Sequence, residues 1–153
     1  MEEENSMNEE FKRLKEGSDR LNQMMQEIRW CIRTLEGVLK LIYAERQLFN
    51  GPIGLVVYLA NQEIGQHGEW RFDAKVLVRR QTGLEIGIVA LRGEGDEREY
   101  RALKLSEQWS PEEITVVYEN LDAVISTARE ACTAIGEGET FDRRLQEISG
   151  VSL

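Results

Sequence analysis

The sequence predicts an α+β fold: a long N-terminal helix, a four-stranded antiparallel meander, a C-terminal helix packed on one sheet face, and a short tail helix. Three observations predict it. An apolar heptad ladder runs from Phe11 to Ile42, a period of two occupies Trp70 to Arg92, and a helix-start signal stands at Ser110.

The ladder comes first along the chain. Phe11, Met25, Ile32 and Leu39 share one rung position, and Leu14, Leu21, Ile28, Leu35 and Ile42 lie three residues further on each time. A 3,4 spacing held this long keeps one stripe turned toward one partner, which is the pattern of a coiled-coil seam. The spacing therefore predicts one helix from Glu9 to about Gln47, with acidic Glu2, Glu3, Glu4, Glu9 and Glu10 at the end where the helix dipole favours negative charge. Gly17 and Ser18 weaken its first half. Between Ile28 and Tyr43 the apolar set widens to Trp30, Cys31, Val38, Leu41 and Tyr43, leaving Arg29, Arg33, Glu36 and Lys40 as a narrow polar strip. A helix apolar on most sides is expected to be buried on most sides.

Asn50-Gly51-Pro52 should end the helix, which divides the chain into residues 1–49 and an α+β unit over 50–153 that shares a core with the lower half of the helix. Ile53 to Ala60 reads as a strand buried on both faces, followed by a polar loop with Gly65 and Gly68. In Trp70 to Arg80 the even positions are apolar and the odd ones polar except Leu77, and Leu84 to Arg92 continues the alternation. A Gln81-Thr82-Gly83 loop would set Val78 opposite Ile86, Val76 opposite Ile88, and Arg79 beside Glu85, with Gly83 left-handed. Glu97 to Leu105 is the fourth strand, and its apolar parity switches between Ala102 and Leu103, the mark of a bulge.

Ser110, Pro111 and Glu113 form the start signal, with Glu113 expected to complete a capping box. Ile114, Val117, Leu121, Val124, Ile125, Ala128, Cys132 and Ile135 then give one long apolar face that Gly136 ends. Phe141 to Ile148 forms the amphipathic tail.

Composition narrows the function. Over 153 residues the chain is 41% hydrophobic and 31% charged, which describes a folded protein. Its net charge of −9 disfavours general binding to nucleic acid or to an anionic membrane. The acidic N-terminus is unlike a secretory signal, the longest apolar run is too short to span a bilayer, and Cys31 and Cys132 read as buried free thiols. An intracellular location is expected.

No catalytic constellation stands out: His67 has no nucleophile placed beside it in the sequence, and no phosphate-binding or nucleophile-elbow motif occurs. One histidine and two distant cysteines have no zinc spacing, and the Gly/Glu-rich runs at 93–97 and 136–139 lack calcium-loop ligands, so neither metal nor cofactor is expected. The expected function is a non-catalytic, oligomerising protein–protein interaction module such as an adaptor, chaperone-like assembly factor or inhibitor. Its partners would be a second copy and another protein, met through Phe11, Leu14, Leu21, Met25 and Ile28. The alternative is a single-stranded nucleic-acid binder using Arg71, Lys75, Arg79, Arg98 and Arg101 on the sheet. Eight basic and six acidic residues from Arg71 to Lys104 leave a formal excess of two, a weak electrostatic footprint.

Overall fold

The computed structural model describes residues 2–46 and 54–149. Helix α1 (Glu2–Arg46) leads into an antiparallel meander of β1 (Val56–His67), β2 (Trp70–Arg79), β3 (Gly83–Arg92) and β4 (Glu99–Leu105), in spatial order β1-β2-β3-β4. Helices α2 (Pro111–Glu119), α3 (Leu121–Ala134) and α4 (Gly138–Ser149) follow. The fold is α+β, as the sequence predicts. The segment carrying Asn50, Gly51, Pro52 and Ile53, with the expected boundary at 49/50, lies outside the described residues.

The sheet buries one face under helices. Phe72, Ala74, Val76 and Val78 of β2 and Leu84, Ile86, Ile88 and Ala90 of β3 point into the core. There α1 lies along β3 and α3 along β1 and β2. Helix α4 closes the gap between α1 and α3 and drives Phe141 and Leu145 into the same core. The ladder residues Ile28, Ile32, Leu35, Leu39 and Ile42 complete it.

The hairpin keeps the expected faces in a different register. Val78 pairs with Leu84 and Val76 with Ile86, a slide of two residues from the expected pairing. Period-two patterning fixes parity, and a slide of two preserves it, so only the turn decides between the two registers. Gly83 is left-handed at φ +80°, and a Cβ there would lie 2.9 Å from the Tyr43 ring. Arg79 still reaches Glu85 at 2.7 Å, on the diagonal.

Three further elements depart from expectation. Strand β1 does not stop at Ala60 but runs through the polar stretch to His67, and as an edge strand it is half exposed rather than buried on both faces. Its Gln62 carboxamide bonds Thr127 and Glu130 on α3, which is why polar residues sit well there. The single helix expected after Ser110 breaks at Asn120 into α2 and α3. The Asn120 side chain seats against Gly65, where an added Cβ would stand 2.5 Å from its Nδ2, and this side chain also donates to the Val116 carbonyl. Ser110 occupies the N-cap without a side-chain cap bond, and Glu113 turns to Lys104 at 2.8 Å instead of closing a capping box. Two finer expectations hold: β4 shifts register opposite Ile88 to Ala90, and Gly136 ends α3 at φ +80°.

Candidate interaction surface

Helix α1 is unbroken, yet only its lower part has a domain to lie on. From residue 8 to Gln23 every side chain is exposed, including Phe11 at 65%, Leu14 at 70% and Leu21 at 40%. Met25 packs partly against the core, and Ile28 is 1% exposed. One heptad stripe is thus solvent-facing over about 20 Å and core thereafter. Phe11, Leu14 and Leu21 form the free surface. Ile28 belongs to the domain's own packing and cannot meet a partner without unpacking it. Trp30 and Leu41 correct the expectation that the lower helix is buried on most sides, since both stand exposed on its solvent face.

At the base of the projection a cleft of about 230 Å³ is lined by Ile28, Arg29, Ile32, Arg33, Ser106, Glu107, Trp109 and Ile114. Trp109 is fixed by its indole N–H, which donates to the Lys104 carbonyl at 2.8 Å. Arg29 and Arg33, one helical turn apart, rim the cleft. Both are exposed, and neither makes an ion pair among the described residues. The sequence marked them only as part of a polar strip; the cleft arises from the fold, which brings the loop before α2 against α1.

The five basic sheet residues do not share one surface. Arg71, Lys75 and Arg79 lie on the outer face of β2, where Lys75 stacks over Tyr58 at 5.0 Å and Arg79 pairs with Glu85. Arg98 precedes β4 and donates to the Tyr100 hydroxyl at 3.3 Å. Arg101 pairs with Ala90 and therefore points to the helix side of the sheet. There it lies 4.0 Å over the Trp70 ring and bonds Glu112 at 3.0 Å. Arg92 covers the same indole at 4.7 Å and is paired with Glu99. This Trp70 stack and the two ion pairs from β4 to the start of α2 were not legible in the sequence, because they depend on which face the bulge gives to Arg101 and Lys104.

A second groove, about 490 Å³, lies between α1 and the β2–β3 hairpin and gathers Glu36, Lys40, Arg79, Glu85 and Glu107. Burial raises the Glu36 carboxyl above its ordinary range, and the neighbouring Glu85 and Glu107 add to this against a Ser106 hydrogen bond and Lys40. An acid raised on folding is held more tightly protonated in the native state. Its contribution to stability is present below the ordinary carboxyl range and is lost as pH rises through the raised value. Glu36→Gln, which keeps an acceptor for Ser106, should therefore raise Tm at pH 7. The gain should shrink as pH falls toward about 4.5, near the ordinary carboxyl range, in a thermal series; an equal gain at both pH values would contradict this electrostatic origin.

Catalytic chemistry finds little to build on. His67 ends β1 opposite Trp70 and is exposed. Both cysteines are free. Burial pushes the Cys132 thiol up to about 12, with Glu137 and Asp142 adding to it, and Cys31 is raised by burial and Glu27. Neither is an activated thiolate at neutral pH. Among the described residues no group of three or more His, Cys, Asp or Glu could hold a metal ion, and no helix is long and apolar enough to cross a membrane. No protein-family model, no curated protein and no solved structure matches the chain.

Proposed function

We propose that this protein is a non-catalytic module that self-associates through its first helix and acts by protein–protein contact, as an adaptor, assembly factor or inhibitor inside the cell. One observation carries the reading. Phe11, Leu14 and Leu21 are exposed on the same heptad positions that Ile28 to Ile42 use to build the core. Apolar side chains at seam spacing, left without a cover by their own domain, are the feature that a second helix removes from water. The nucleic-acid reading has less support, since Lys75, Arg79, Arg98 and Arg101 already engage aromatic rings, hydroxyls or carboxylates and divide between two faces.

The test is the mass in solution. The native chain should run by light scattering as a multiple of 17.6 kDa, and Leu14→Glu with Leu21→Glu should reduce it to the monomer. Each leucine contributes about 1.5–3 kcal/mol on burial, so the double change should weaken association by at least ~100-fold. The near-ultraviolet spectrum of the domain should stay unchanged, because both side chains lie outside the core. A native chain that stays monomeric at about 100 μM, far above the dissociation constant of a stable dimer, sinks the reading.

A further inference from the structure

We infer that two copies associate with their first helices antiparallel, the acidic N-terminal tip of each seated at the Arg29–Arg33 cleft of the other. This geometry rests on the proposed self-association and adds to it an orientation and a second contact.

The orientation follows from where the domain sits. In a parallel pair the partner helix would run along the seam positions for their whole length. From Ile28 onward those positions are covered by the chain's own α2, α4 and β3. The partner would have to leave the seam at Met25, yet α1 continues without a break to Arg46 and carries its own domain on that same inner side. Two such domains would occupy one space. Reversing one helix puts the domains at opposite ends and leaves the free stretches, Phe11 to Met25, facing each other. Only the bare tip of each helix then passes Ile28 of the other, off the covered seam and on the open side where Arg29 and Arg33 are exposed. A symmetric pairing of this kind is isologous and closes as a dimer.

Charge favours the same orientation. The tip carries Glu2, Glu3, Glu4, Glu9 and Glu10. A parallel pair would set the two acidic tips side by side. In the antiparallel pair, centred near residue 18, the tip of each helix ends level with Arg29 and Arg33 of the other, the exposed cations that find no carboxylate in their own chain among the described residues. Among the described residues the one acid lining the cleft, Glu107, lies in the short 3-10 turn Ser106–Gln108 that precedes α2.

Two measurements separate this inference from the reading beneath it. Small-angle scattering of the native dimer should give a pair-distance distribution with a second maximum near ~55 Å, the separation of two domains joined through antiparallel helices at 1.5 Å per residue. Arg29→Glu with Arg33→Glu should weaken the dimer about tenfold at low salt, as expected for a few exposed ion pairs, and Glu3→Lys with Glu4→Lys in the same chain should restore it. A dimeric mass with a single maximum below ~35 Å, too short for helices extended in opposite directions, overturns the antiparallel arrangement and leaves self-association standing. So does a dimer indifferent to the arginine changes and tightened by the lysine changes alone. A monomeric native chain removes both.

Discussion

Phe72→Ala should cost the domain about 3–5 kcal/mol, as much as the truncation of any one core side chain. Phe72 is fully buried on β2 and is flanked across the sheet by Gly65 on β1 and Ala90 on β3. Those neighbours are small because the phenyl ring fills the space above them. With Gly65 held against Asn120, the backbone on that side cannot move in to close the hole. Urea denaturation should show the midpoint falling with the slope unchanged. Against a total stability of about 5–15 kcal/mol for an ordinary domain, the variant would stand near the limit of folding. The contrast is Phe11→Ala. The same chemistry at a 65% exposed site should leave monomer stability within about 0.5 kcal/mol. A loss below ~1 kcal/mol at Phe72 would mean that the site collapses freely and that the Gly65–Asn120 contact is not rigid.

Lys104→Ala should be the next most damaging change, at about 2–4 kcal/mol. Glu113 is only 3% exposed, its Oε1 accepts from Lys104, and its Oε2 has no hydrogen-bond partner among the described residues. Removing the ammonium leaves a buried carboxylate with only the N-terminal dipole of α2 to offset its desolvation. The pair need not stabilise the fold for its rupture to be costly, and a double change shows the difference. Lys104→Met with Glu113→Leu, which removes both charges and keeps the volume, should recover most of the loss. Chemical denaturation of the two single variants and the double variant gives the coupling directly. A double variant as unstable as Lys104→Ala would show that the ion pair itself, rather than the stranded charge, stabilises the junction of β4 and α2.

These two residues also show how far the sequence could be read. Phe72 was legible as core because period two requires only the alternation of apolar side chains along one strand. The same pattern could not choose between hairpin registers two residues apart. Glu113 was legible as a helix-start residue but not as the partner of Lys104, since a local capping bond and a long-range ion pair draw on the same carboxylate. Asn120 carried no local warning: the apolar face runs through it at helical spacing, and the Gly65 backbone against which its side chain seats lies far away in the chain. The polar run from Asn61 to His67 read as a loop because its compensating partners, Thr127 and Glu130, lie on α3. At the candidate surface, the stripe from Phe11 to Leu21 was visible, because a heptad is a local property of one helix. The limit at Ile28 and the arginine-rimmed cleft were not, because both depend on where the domain stops.

The shared stripe has a kinetic side as well. Starting a helix is the difficult step, since several residues must be ordered before the first hydrogen bonds offset the lost freedom, whereas each residue added to an existing helix is nearly neutral. Within α1 the ordered start is supplied by the domain, where Ile28 to Ile42 are held by the core. The projecting turns toward Glu2 need only propagation from that seed. A partner of the kind proposed, arriving at Phe11, Leu14 and Leu21, would therefore meet a helix already begun, and its binding energy would not be consumed in nucleating one.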